Sequence, residues 1–269
     1  MRKSILLTGA TDGIGLETAK ALVAGGHQVL LHGRNPQKLE EITASLALVA
    51  KDALVESYVA DLSDLSQVVA LAKNVASNHA TIDVLINNAG VLQTNQPITK
   101  DGLDIRFVVN TIAPYLLATQ LFPIFKGSSR VINLSSAAQS TVDLRALSGD
   151  LELPPMEAYS QSKLAITMWN QQLALDHPDG PTFVAVNPAS MLGSKMVKDA
   201  FGVAGGDLKV GADILIKAAL SDEFADASGK YFDNDQRRFS SPHPDAADQR
   251  KVSAVVATIK ELIAKYTEH

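Results

Sequence analysis

The sequence predicts an α/β protein: one domain on a doubly wound parallel sheet of seven strands, with helices on both faces. Three observations carry this. Short apolar runs alternate with longer amphipathic stretches along the chain, the mark of successive βαβ units. No linker, repeat or low-complexity tract divides the 269 residues, a length that suits a single α/β domain. Apolar residues make up 46% of the chain and charged ones 20%, enough for a substantial core.

The elements follow in order. SILLT (4–8) is a short apolar run ending at a glycine turn, and a helical pattern follows over 14–24. QVLLHG (28–33), ALVESYVA (53–60) and DVLIN (83–87) are further strands, separated by helical patterns at 36–50 and 64–78. One long helical pattern, 101–124, leads to RVINLS (130–135), and another, 156–176, leads to TFVAVN (182–187). Helices at 207–220 and 245–265 flank GKYF (229–232), the seventh strand. The Pro- and Gly-containing stretches at 177–181 and 240–245 are short enough to be loops. Such a sheet has three layers and binds ligands at the carboxyl ends of its strands.

Composition excludes several classes. A net charge of −5 gives no basic footprint for nucleic acid. With no cysteine, disulfides, thiolate metal sites and cysteine nucleophiles are ruled out. The six histidines show no metal-ligand spacing and are expected on the surface or in loops, so no metal is expected. MRKSILLTGA is too short in its apolar part for a signal peptide, and no run reaches membrane-spanning length. A cytoplasmic protein without a membrane anchor is the expectation.

TGATDGIG (8–15) follows the first strand and opens the first helix. Gly9, Gly13 and Gly15 allow a sharp turn, a close phosphate and helix–sheet contact, and Thr11, Asp12 and Ile14 lie between them. The exposed amides at a helix N-terminus favour a pyrophosphate. The second strand ends in LLHGRN, with Arg34 and no acidic residue. An arginine there accommodates the 2′-phosphate of NADP, whereas NAD enzymes usually place an acid. Asp12 argues the other way, because it would repel an added phosphate. NADP(H) is therefore favoured, with NAD(H) as the alternative.

Four stretches then fall into one order: TGATDGIG (8–15), NNAG (87–90), INLSS (132–136) and YSQSK (159–163). In this the chain resembles the short-chain dehydrogenase/reductase family, a Rossmann-type fold, from the first strand to about residue 196. GRN, the long span before Tyr159 and GKYF make it most similar to the retinol dehydrogenase and protochlorophyllide-reductase-like branch. The resemblance implies that Tyr159 is the catalytic acid/base and that Lys163, one helical turn away, lowers its pKa and binds the nicotinamide ribose. It implies that Ser136, rather than Ser135, holds the substrate oxygen, and that Asn110 keeps a water chain to the lysine in place. Local hydrogen bonding is the plainer role for that asparagine. Asp61, followed by Leu62, matches the aspartate that reaches the adenine amine, and capping the next helix fits it equally. Asn87, Ala89 and Gly90 match the strand end that the cofactor approaches. At Pro188 the family has Pro-Gly and then a threonine. Here Ala189 replaces the glycine, and Ser194 stands for the threonine one residue late.

The expected activity is hydride transfer between nicotinamide and an alcohol or carbonyl substrate, with Tyr159 moving the proton. A non-catalytic NADP(H)-sensing protein would keep the same fold, but all four catalytic positions are filled. A sugar-nucleotide epimerase shares the Tyr and Lys but usually runs longer. The 137–158 span is expected to fold over the site, and the 190–208 stretch to act as a movable lid. Their apolar content suggests a hydrophobic substrate. Relatives often pair their long helices into homodimers or homotetramers, and the lengthened span before Tyr159 leaves the oligomeric state open.

Overall fold

The computed structural model describes residues 1–50 and 52–267. Strand β1 (Ser4–Leu7) passes through the glycine turn into α1 (Gly13–Ala24). The alternation continues with β2 (Gln28–Gly33), α2 (Pro36–Ala47), β3 (Leu54–Val59), α3 (Leu65–Asn78) and β4 (Ile82–Asn87). Next come α4 (Ile105–Phe107), a π turn (Val108–Ile112), α5 (Ala113–Gln120) and β5 (Phe125–Leu134). The second half adds α6 (Leu144–Leu147), α7 (Pro155–Asp176), β6 (Thr182–Asn187), α8 (Lys195–Phe201) and α9 (Leu208–Leu220). The hairpin of β7 (Tyr231–Asp233) and β8 (Arg238–Ser240) and the terminal α10 (Gln249–Thr267) complete the chain. Helices start where a short polar side chain can take an orphan amide. Asn35 accepts from the Lys38 amide, Asp64 from Ser66 and Asp207 from Lys209.

The strand order is β3-β2-β1-β4-β5-β6-β7-β8. All pairs from β1 to β7 are parallel, and β8 runs antiparallel at the edge. The doubly wound parallel sheet expected from sequence is therefore present, with an eighth edge strand added. β8 escaped the sequence because three residues are too few to show a period. Its turn needs the left-handed backbone of Arg237, φ 53°. The order reverses between β1 and β4, which opens a crevice at their carboxyl ends.

Side chains alternate across the sheet as its pleat requires. Leu6, Leu30, Leu85, Val131 and Phe183 face the layer of α3, α5, α7 and α10. Ile5, Leu7, Val29, Leu31, Val84, Ile86 and Val184 face the layer of α1, α2 and α9. In α7, Trp169 is fully buried and meets Tyr115 edge-on, with centroids 5.6 Å apart.

The 101–124 pattern is continuously helical only over 105–120, and that stretch contains a π turn. Pro114 has no amide to give to the Asn110 carbonyl four residues back, and the ladder widens so that Ala113 N–H reaches Val108 O, five residues back. Part of the 137–158 span packs into the core. Ala146 and Leu147 of α6 are buried in the core beside α7 and α10, and the Asp143 amide donates to Gln161 Oε1 at 2.8 Å.

Trp169→Ala should destabilise the protein by about 3–5 kcal/mol through lost burial and a residual cavity. Leu175→Ala, on the exposed side of the same helix, should change stability by no more than about 0.5 kcal/mol. Urea unfolding of both variants measures the contrast.

Candidate active site

The glycine turn is seated on the end of β4. Asn88 Nδ2 donates to the Thr8 and Gly9 carbonyls at 2.9 and 3.1 Å, and Thr8 Oγ1 accepts from the Asn88 and Ala89 amides at 3.0 and 3.1 Å. A β-carbon on Gly15 would lie 2.2 Å from Gly9 O, and one on Gly9 would lie 2.9 Å from Ala89 Cα. Gly9 and Gly13 also have positive φ, 65° and 55°, conformations that L side chains resist. Thr11 Cγ2 packs over Gly33 of β2, 2.6 Å from where a side chain would begin. What remains is a cradle of backbone at the N-terminus of α1. The amides of Ile14 and Gly15 lie in its first turn, where an α-helix offers no acceptor. A pyrophosphate fits such a cradle.

One histidine supports this turn from below. Gly9 N–H donates to His32 Nδ1 at 3.3 Å, and His32 Nε2 donates to Ala60 O at 3.0 Å, which fixes a neutral tautomer. His32 is buried, contrary to the expectation of surface histidines. Burial pulls its pKa down to about 4, against opposing contributions from Ala60 and Asp61. The signal in the sequence was its place inside the apolar run of β2.

The anticipated repulsion from Asp12 is also revised. Its carboxylate accepts from the Gly13 amide at 2.7 Å and pairs with Lys38 at 3.1 Å. Partial burial pushes its pKa up, but Lys38, the Gly13 amide and Lys195 outweigh that and hold the carboxyl low. Lys38, which the sequence did not single out, thus stands at the start of α2 near exposed Arg34. At the end of β3, Leu62 is buried and Asp61 accepts from Ser63 N and Oγ at 2.9 and 2.7 Å. The cap of α3 is Asp64, so Asp61 is not the capping residue.

At the end of β4, buried Asn87 donates to Asn133 Oδ1 (2.8 Å), and Asn133 donates to Asn170 Oδ1 (2.9 Å). This amide ladder ties β4 and β5 to α7. Asn110, in the π turn, grips Val91 in both directions: its Oδ1 accepts from Val91 N (2.8 Å) and its Nδ2 donates to Val91 O (3.0 Å). It also donates to Ser162 Oγ at 3.0 Å. The side chain therefore joins the strand-end loop to α7, next to Lys163. A β-carbon on Gly90 would lie 3.4 Å from Asn110 Oδ1, 3.6 Å from Met196 Cε and 3.7 Å from Lys163 Nζ.

The two serines after β5 differ in use. Ser135 is buried and its hydroxyl engages Lys163 O (3.0 Å) and Thr167 Oγ1 (2.7 Å), pinning α7 to the sheet. The Ser136 hydroxyl accepts from the Ala138 amide at 3.1 Å and stands close enough to Tyr159 to lower the phenol's pKa. Lys163 is buried, its ammonium donates to Leu134 O at 2.7 Å, and it stands over the Tyr159 ring 5.6 Å from the centroid. The two groups share one side of α7, as their spacing requires.

Their electrostatics depart from expectation. Burial raises the Tyr159 pKa, and Ser136 draws it only part of the way back. The Lys163 ammonium stands over the ring and bonds the Leu134 carbonyl rather than the phenol hydroxyl. Burial lowers Lys163 itself to about 8, which leaves it mostly protonated at neutral pH. The pair rests as a protonated phenol beside a cation.

The loop after β6 closes the crevice. Pro188 O accepts from Asn234 Nδ2 at 2.9 Å. Ser194 caps α8, accepting from Val197 N at 3.3 Å, and its Cβ lies 3.6 Å from where a Gly13 side chain would begin. The base of this segment is fixed by Gly193 N to Gly206 O (2.7 Å) and Gly206 N to Met191 O (2.8 Å). Helix α8 buries none of its side chains, its Phe201 is exposed, and so are Met191 and Val203 beside it. The structure thus gathers the glycine turn, Gly90, Ser136, Tyr159, Lys163 and Ser194 around one crevice.

Residues 3–204 match the family described as short chain dehydrogenase. Retinol dehydrogenase 13 of Homo sapiens is 29% identical over 97% of this chain and 84% of its own length. Retinol dehydrogenase 12 of Bos taurus is 32% identical over 89% of this chain and 80% of its own. A crystal structure of an uncharacterized protein from Mycobacterium Paratuberculosis superposes with a TM-score of 0.79 at 24% identity, covering 97% of this chain and 93% of that one. The chain belongs to the short chain dehydrogenase family and is an NAD(P)-dependent oxidoreductase of that family.

A histidine held neutral in the fold but charged when unfolded destabilises the fold in acid. Stability should therefore fall as pH drops from about 6.5, the unfolded value, through about 4, the folded one. The loss should be on the order of 3 kcal/mol. His32→Gln should flatten this part of the profile, measured by urea unfolding at a series of pH values.

Proposed function

We propose that this short chain dehydrogenase reduces hydrophobic carbonyl compounds with NADPH. The observation that carries the reading is the protonated Tyr159 phenol set between Ser136 and the Lys163 cation, beside the backbone-only surface at Gly90. The cradle at Gly9–Gly15 holds the pyrophosphate. When bound, the nicotinamide supplies the hydride, which no side chain here can provide. Lys163 has three N–H donors and spends one on Leu134 O, so two remain for the ribose hydroxyls. Ser136 Oγ and Tyr159 Oη donate to the carbonyl oxygen. As negative charge develops on that oxygen, Tyr159 transfers its proton to it.

The resting protonation suits Tyr159 to act as the acid in reduction. A phenol raised by burial holds its proton at neutral pH, as an acid must before it can donate. Exposed Arg34 and nearby Lys38 support NADPH, since Asp12 is already neutralised by Lys38. An apolar substrate fits a lid whose inner methionine, Met196, reaches the Gly90 end of the crevice. Flexible thioethers adapt to irregular hydrophobic shapes. The retinol dehydrogenases among its relatives are named for a hydrophobic alcohol, in line with this class.

Tyr159→Phe should abolish NADPH oxidation by a panel of apolar aldehydes and ketones while keeping NADPH affinity within about threefold of wild type. Undiminished turnover would refute the assignment. For the native protein, reductive kcat/KM should decline as pH rises through about 8, where Lys163 loses its charge. Arg34→Ala combined with Lys38→Ala should raise the KM for NADPH roughly tenfold to hundredfold and leave that for NADH nearly unchanged.

A further inference from the structure

Ala189 has φ 120°, and Met191, two residues on, has φ 55°. Both values lie where L side chains are strained, and φ 120° is territory that essentially only glycine enters at ease. Strain of this kind persists only when the surroundings impose it. Here the surroundings are one turn of chain, the residues that join β7 to β8. Asp235 Oδ1 accepts from Ser190 N at 2.8 Å, and its Oδ2 accepts from Ser190 Oγ at 2.6 Å and Asn187 Nδ2 at 2.9 Å. Asn187 Nδ2 also reaches Asp233 Oδ1 at 2.9 Å, and the Asp235 amide donates to the same oxygen at 3.0 Å. Asn234 Nδ2 holds Pro188 O. The chain is therefore held at 187, 188 and 190, on both sides of the strained residue.

We infer that Asp235 is a positioning residue: it clamps the strained 188–194 loop so that Ser194 is presented to the glycine turn, and thereby sets how tightly the nucleotide is held. The inference rests on the proposed cofactor reading. A carboxylate suits the task. Its two oxygens accept three bonds without a competing donor, whereas an amide would turn N–H toward donors on Ser190 or Asn187. Glycine at 189 would need no such clamp. The carboxylate and the alanine therefore form a coupled pair, the first enforcing what the second resists.

Fluorescence titration of purified protein with NADPH tests this, together with steady-state KM and kcat. Asp235→Ala should weaken NADPH binding about tenfold and raise its KM by a similar factor, with kcat at saturation changed by less than about threefold. Ala189→Gly alone should stay within about twofold of wild type, and added to Asp235→Ala it should recover most of the lost affinity. If Asp235→Ala folds poorly, Ser190→Ala removes one clamp bond and should show a smaller loss, again repaired by Ala189→Gly. Wild-type affinity in a folded Asp235→Ala, or a loss that Ala189→Gly does not repair, overturns the clamp while leaving the cofactor reading intact. A wild-type protein that binds neither NADPH nor NADH overturns both.

Discussion

Everything at the crevice depends on how closely the turn after β1 can approach the end of β4. No side chain fits between them: a single β-carbon on Gly15 would lie 2.2 Å from Gly9 O and 2.5 Å from Asn88 Nδ2, far inside van der Waals contact. Asn88 and Thr8 then lock the approach through four hydrogen bonds. The contact brings the N-terminus of α1 and the Gly90 strand end to opposite sides of one cleft. His32 completes it from beneath by engaging the Gly9 amide, which leaves the amides of the helix's first turn to face a ligand.

The second half of the cleft comes from α7, a helix embedded on nearly all sides. A lysine is rarely buried without a partner, and Lys163 is retained here with a single carbonyl bond in its first layer of contacts. That environment makes its ammonium easier to deprotonate and the neighbouring phenol harder. The two shifts act together to keep the proton on Tyr159. A cation at this range favours the ionised phenol, and burial opposes it, with the net direction upward. The ammonium stands over the ring, so the pair is an acid with an adjacent positive charge.

The C-terminal third frames the site from behind. Tyr231 Oη donates to Ser136 O at 3.1 Å, Gln139 Nε2 donates to the same carbonyl at 2.8 Å, and His243 N–H in turn holds Gln139. The β7–β8 hairpin therefore braces both the serine after β5 and the loop after β6. Short strands at the end of a sheet add little to it, but Tyr231 of β7 and the turn between β7 and β8 deliver side chains to two loops that face the cleft.

Much of this was legible in the order of residues. The strand periods, the glycine spacing and the Tyr-to-Lys interval are local patterns, and local geometry is enough to place them: a helix sets residues 159 and 163 on one face whatever surrounds it. The choice of Ser136 over Ser135 followed from the resemblance, and the fold shows why the two differ, since Ser135 spends its hydroxyl on α7. What the sequence did not show arises partly from weak local signals, the π turn before Pro114 and the three-residue β8, and partly from contacts between distant segments. The packing of α6 into the core depends on partners far along the chain. So do the neutral His32, the Lys38 partner of Asp12 and the direction of the Tyr159 pKa, because desolvation and ion pairing are properties of an enclosed environment. Residue identity and spacing established the fold class and which groups meet; the closing of the layers around them set their charge and orientation, because only a folded interior excludes water.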